Sequence, residues 1–168
     1  MSQLTLSFDT PLMVRDGRGR YRPADADQIL EAARQVIEQK MQRGAEFTSP
    51  VVVKDYLRAK LAGFEHEVFA VLFLDTQHRL IEYIEMFRGT IDGASVYPRE
   101  VVKEALRLNA AAVIFSHNPP SGNPEPSRAD EAITKRLKDA LALMDVRTLD
   151  HVIVAGSDTT SFAERGLI

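Results

Sequence analysis

Residues 110–130 read AAAVIFSHNPPSGNPEPSRAD, and the order of residue types in this stretch organises the rest of the chain. Ala110 to Phe115 is a short apolar run of the kind that forms a buried strand. Ser116 to Pro126 holds four prolines and one glycine, so it reads as a stiff loop. Ser127 then opens a helix in which Ile133, Leu137, Leu141 and Met144 recur at helical spacing. In α/β proteins, ligand sites gather where a buried strand ends and a helix N-terminus points outward. His117 stands at that strand edge and Asp130 one turn into that helix. The two can face one space, and a hard or borderline cation could bridge them.

Working outward, Glu67 to Leu74 (EVFAVLFL) is a nearly unbroken run of β-formers, which predicts a strand covered on both faces. Asp75-Thr76-Gln77 is a turn, Leu80 to Phe87 the antiparallel return strand, and Gly89 its break. Pro98 opens a helix containing Val101, Val102, Ala105 and Leu106. Val152–Ala155 and Thr160–Phe162 read as closing strands. Upstream, Asp25 can cap a helix with Ile29, Leu30, Ala33, Val36, Ile37 and Met41 on one face, closed by Gly44. Ser49-Pro50 suits a second helix start, with the serine accepting from the first free amides. Val53, Tyr56, Leu57 and Leu61 form its buried stripe, and Gly63 ends it. Residues 1–23, broken by Asp16-Gly17 and Pro23, read as an extended arm or hairpin. Strands and helices alternate, so the class is α/β, a mixed and largely antiparallel sheet flanked by helices. Residues 1–63 (arm plus two helices) are expected to be an N-terminal extension to a unit spanning 64–168.

The chain has 168 residues, enough for one domain with a real core. It contains no cysteine, which excludes disulfides and thiolate metal sites and fits a reducing compartment. Any metal site must come from the four histidines and from carboxylates. No apolar run approaches the ~20 residues of a membrane helix. The N-terminus lacks the pattern of a secretory signal, so the expected location is the cytoplasm. The net charge is -3, and the densest basic run, Arg15 to Arg22, sits in a loop-like stretch. Direct duplex-DNA binding, which needs clustered Lys and Arg, is disfavoured.

The stretch from Ser116 to Asp130 resembles the signature of RadC proteins, members of the JAMM (MPN-like) zinc metallopeptidase superfamily. That pattern is a glutamate on an early strand, then His-x-His, seven residues, Ser, two residues, Asp. His117, Ser127 and Asp130 match, and Asn118, Ser121, Gly122 and Pro126 match the RadC form of the loop. Glu67-Val68-Phe69, Phe87-Arg88-Gly89-Thr90, Tyr97-Pro98-Arg99-Glu100 and Ser161-Phe162-Ala163-Glu164-Arg165-Gly166 extend the resemblance from about residue 64 to the C-terminus.

The resemblance implies a JAMM/MPN-like fold with cytidine-deaminase-like layering. It also implies a Zn2+ held by two histidines and an aspartate, with water in the fourth place. His117 and Asp130 are the matching ligands here. Glu67 matches the general base that takes the water proton, and Ser127 the oxyanion donor. The implied reaction is hydrolysis of a peptide or isopeptide bond, on a peptide or protein substrate.

One departure bears on all of this: Pro119 stands at the second histidine of His-x-His, and a proline side chain cannot ligate a metal. The helix-hairpin-helix segment usual in full-length RadC proteins has no counterpart in residues 1–63. The chain therefore looks more like the shorter RadC-like proteins of mobile elements. His66, His78 and His151 are poor substitutes for the lost ligand, whereas a water or a carboxylate such as Glu125 could fill the gap.

Plainer readings coexist with these. Ser127-Arg128-Ala129-Asp130 is also a helix-start pattern, a serine cap with an acid three residues on. His117 alone reads as a hydrogen-bonded strand-end histidine, and Glu67 alone as a salt-bridged or solvent-facing strand residue. Asp150-His151 suggests a catalytic pair, but neighbours on a strand point apart. Two functions stay open: a zinc hydrolase impaired by Pro119, or an inactive JAMM-fold binding module. A link to DNA repair follows only from the RadC association.

Overall fold

The computed structural model describes residues 12–40, 46–89 and 95–168. In chain order the elements are β1 (Met13–Arg15), β2 (Tyr21–Pro23), α1 (Ala26–Lys40), α2 (Pro50–Leu61), β3 (Val68–Leu74), β4 (Leu80–Arg88), α3 (Pro98–Arg107), β5 (Ala112–His117), α4 (Arg128–Ala142), β6 (Arg147–Ala155) and β7 (Asp158–Ser161). Five strands form one sheet in the order β4-β3-β5-β6-β7, and β1 pairs with β2 in a separate hairpin. Among the described strands only β5 and β6 run parallel, joined by the α4 crossover. The expected α/β class with a mixed, largely antiparallel sheet is the architecture observed, consistent with the JAMM/MPN fold.

Every residue of β3 and β5 is buried, because helices cover both faces of the sheet. Alternation assigns the side chains. Val68, Ala70, Leu72 and Leu74 of β3, with Ala112 and Ile114 of β5, pack against Val53, Tyr56, Leu57 and Leu61 of α2. Phe69, Val71 and Phe73, with Val113 and Phe115, pack against Val101 and Ala105 of α3 and Leu137 and Leu141 of α4. The second face is the one on which His117 also falls, two residues beyond Phe115.

α2 is thus one of the covering layers of the sheet. α1 lies outside it, tied down by Arg34, whose Nη2 donates to the Ala62 carbonyl at 2.6 Å. Asp25 caps α1 as expected: its Oδ1 accepts the Gln28 amide at 2.8 Å, and Gln28 Oε1 accepts the Asp25 amide at 3.1 Å.

Two local expectations need correction. Ser49 precedes α2 but makes no side-chain cap hydrogen bond, so Pro50 alone marks that start. β6 begins at Arg147 and not at Val152, because its polar first half pairs with β5 while only its second half is fully buried. Gly44 and Met41, expected at the end of α1, and residues 1–11 of the expected arm lie outside the described residues. Among the described residues no helix is long and apolar enough to cross a membrane.

Candidate functional site

β5 ends at His117 and the chain enters a loop stiffened by its own hydrogen bonds. The Gly122 amide donates to the Pro119 carbonyl at 3.0 Å, closing a turn with Pro120 at its first corner. The Asn123 amide donates to Ser121 Oγ and the Glu125 amide to Asn123 Oδ1. Arg165, from the C-terminal turn, grips Glu125 in a two-pronged pair at 2.6 and 2.9 Å. That pairing holds the Glu125 carboxyl below the usual carboxylate range.

α4 starts with a reciprocal capping box. The Ser127 amide donates to Asp130 Oδ2 at 2.8 Å, and Ser127 Oγ accepts the Asp130 amide at 3.0 Å. The other carboxylate oxygen, Oδ1, lies 3.4 Å from His117 Nε2. One aspartate thus caps the helix with one oxygen and faces the histidine with the other.

His117, Asp130, Ser127 and Glu67 line one cleft of about 540 Å³, with Pro119, Glu125 and Phe69 in its walls. Glu67 precedes β3. Asn118 holds the main chain on either side of it, accepting from the Val68 amide at 2.7 Å and donating to the His66 carbonyl at 2.9 Å. His66 is not among the lining residues. His78 sits in the β3–β4 turn, 3.5 Å from Arg147.

His151 and Thr134 are the residues that sequence reasoning missed. His151 Nε2 lies 2.8 Å from His117 Nδ1, and His151 Nδ1 lies 2.6 Å from Thr134 Oγ1. Asp150 does point the other way, as strand alternation requires. Its carboxylate accepts from Ser161 Oγ at 2.6 Å and from the Ala163 amide at 2.9 Å, pinning the C-terminal turn. The available signal for His151 was a histidine at the head of an apolar run, HVIVA, on a strand parallel to the one bearing His117.

Burial is the main force on both rings. It lowers the His117 pKa, opposed in part by the Asp130 carboxylate, and it lowers that of His151 well below the ordinary histidine value. His151 is stacked against Phe162 with ring centres 4.6 Å apart. Burial thus disfavours the charged form of both imidazoles.

His117 Nε2 and Asp130 Oδ1 suit one corner pair of a zinc site. Zn–N and Zn–O bonds of about 2.0–2.1 Å in a tetrahedron put two ligand atoms about 3.3 Å apart, against the 3.4 Å found. The donor set stops there. Among the described residues no three His, Asp or Glu side chains converge to hold a metal. Pro119 has no side-chain donor, Glu125 is engaged by Arg165, and His151 faces the far nitrogen of His117.

Comparison with known proteins identifies the family. The family profile described as RadC-like JAB domain matches residues 47–167. A UPF0758 protein of Vibrio cholerae serotype O1 is 65% identical over 138 residues, covering 82% of this chain and 87% of that protein. A UPF0758 protein of Methylibium petroleiphilum is 59% identical over 152 residues, covering 90% of this chain and 68% of its own length. One of Cellvibrio japonicus is 57% identical over 150 residues, covering 89% and 67%. With its strand–loop–helix cleft and a matching profile over most of its length, the chain belongs to the RadC-like JAB-domain family of the JAMM superfamily.

Proposed function

We propose that this chain is an impaired zinc hydrolase of the JAMM type, whose cleft accepts a peptide or protein segment. The reading is carried by one observation: His117 Nε2 and Asp130 Oδ1 stand a tetrahedral edge apart, while Pro119, at the position that matches the family's second histidine, lines the same cleft without a side-chain donor. Zinc, when bound in such a site, supplies an activated water near neutral pH. His117 and Asp130 would hold it. Glu67, in the cleft wall, would take the water proton and return it to the leaving amine. Ser127 Oγ already accepts the Asp130 amide, so its own proton remains to donate to a developing oxyanion.

Losing a ligand contact is more severe than losing the hydrogen-bond partner of a ligand, which alone costs about 10–100-fold in metal affinity. Zinc binding by the parent chain is accordingly weak, and hydrolysis limited by occupancy. Pro119→His is expected to raise zinc affinity by more than about 100-fold and to bring peptide hydrolysis with it. Zinc titration of both proteins is the test. Equal binding by parent and variant removes the basis of this reading.

Pro119 also favours a second reading, an inactive module that keeps the cleft for binding a peptide segment. It predicts zinc gain without hydrolysis in Pro119→His. In either case a peptide or protein, and not duplex DNA, is the partner that the net charge of -3 suits better. The cytoplasm is the location that a cysteine-free chain fits.

A further inference from the structure

We propose that His151 and Thr134 are positioning residues that fix the tautomer of His117, keeping its Nε2 bare toward the cleft and ready for a cation. The inference rests on the reading of His117 and Asp130 as cation donors and assigns a purpose to the buried pair behind them.

The assignment follows from one proton. Thr134 Oγ1 lies 2.6 Å from the Asp130 main-chain carbonyl oxygen. A carbonyl cannot donate, and two lone pairs facing each other at that distance would repel. The hydroxyl proton therefore lies on this contact. Thr134 has no second proton, so at 2.6 Å from His151 Nδ1 it can only accept. His151 thus carries its proton on Nδ1. Its ring is fully buried, among Phe69, Phe115 and Phe162, so it has no second proton and Nε2 is an acceptor. The partner 2.8 Å away, His117 Nδ1, must be the donor. Neutral His117 is then bare at Nε2, the atom facing Asp130 Oδ1. That contact, at 3.4 Å, is longer than the 2.7–2.9 Å typical of a charge-assisted N–H···O bond, in keeping with no proton between them.

The chain of contacts loops back on itself. α4 supplies both Asp130 and Thr134, one turn apart, so the turn that brings the carboxylate to the cleft also sets the proton order behind it. Metal-binding histidines usually donate their second nitrogen to a carboxylate, a carbonyl or water. Here a neutral imidazole takes that place, so no further negative charge is set behind the ring.

The test reads the ring directly. In the metal-free 168-residue chain labelled with 15N on histidine, at about pH 8, ring 1H–15N correlation spectra distinguish the tautomers. The parent is expected to show His117 protonated at Nδ1 and bare at Nε2. His151→Phe and Thr134→Val are each expected to move the His117 proton to Nε2, and His151→Gln, whose amide oxygen can accept, to restore it. In the Pro119→His background, His151→Phe and Thr134→Val should lower Co2+ affinity by about 10–100-fold, with His151→Gln recovering most of the loss.

Thr134→Val is decisive because Thr134 does not touch His117 in any hydrogen bond; a structural role alone would leave the His117 tautomer where it was. A parent His117 protonated at Nε2 overturns the inference, as does a Thr134→Val protein with unchanged tautomer and unchanged affinity. Should His151→Phe fail to fold, the parent spectrum and Thr134→Val decide alone. Failure of Pro119→His to gain metal would instead sink the proposed function, and the tautomer result would stand apart from it.

Discussion

Asn118 takes the Val68 amide on its side-chain oxygen at 2.7 Å, joining the end of β5 to the start of β3. The same side chain donates to the His66 carbonyl, so it holds the main chain on both sides of Glu67. Asn118→Ala leaves a buried amide and a part-buried carbonyl without these partners. It is expected to cost about 1–3 kcal/mol of stability, read as a lower urea midpoint at unchanged slope. A midpoint equal to the parent's would mean that water replaces both bonds.

Stability should fall on mild acidification. The folded pKa values of His117 and His151 both lie below the ordinary 6.5, so the unfolded chain binds more protons as pH drops. Their contribution is complete above 6.5 and is lost as pH falls through 6.5 toward the folded values. Urea midpoints in chelator should therefore hold steady above about pH 7 and decline as pH falls from about 6.5 to about 5.5. His151→Phe should flatten part of that decline; an unchanged slope would remove His151 from the account.

Leu57 is fully buried between α2 and the sheet. Leu57→Ala is expected to cost about 2–5 kcal/mol and to lower one cooperative transition that includes the sheet. Two transitions, with the sheet melting as in the parent, would contradict this. Circular dichroism and tyrosine fluorescence followed together through urea separate the two.

Arg165 and Glu125 link the C-terminal turn to the proline-rich loop across an exposed surface. Exposed pairs contribute little to global stability, so Arg165→Ala should leave the midpoint nearly unchanged. What should change is the loop: faster amide exchange at Asn123 and Glu125, measured by hydrogen exchange mass spectrometry. A global loss of protection would contradict this.

Much of this molecule is legible in its sequence because its signals are local. The all-apolar β3, the proline-rich loop and the Ser127 cap each fall within a dozen residues. The approach of His117 to Asp130 could be anticipated because one loop joins them. The His117–His151 contact could not, since it spans 34 residues and depends on β6 lying parallel beside β5 in one register. Strand alternation correctly separated Asp150 from His151, but it gave no hint of what either would meet. The long polar start of β6 escaped for a similar reason: Arg147–Asp150 carries no alternation of its own and is held by its neighbour.

The capping box at the head of α4 sets the denticity of the cleft. With Oδ2 fixed to the Ser127 amide, Asp130 can offer a cation only Oδ1, and a chelating carboxylate is denied it unless the helix start frays. The aspartate therefore cannot stand in for the donor missing at position 119 by binding through both oxygens. Any evolutionary or engineered repair of this centre must bring a further donor atom from outside this carboxylate.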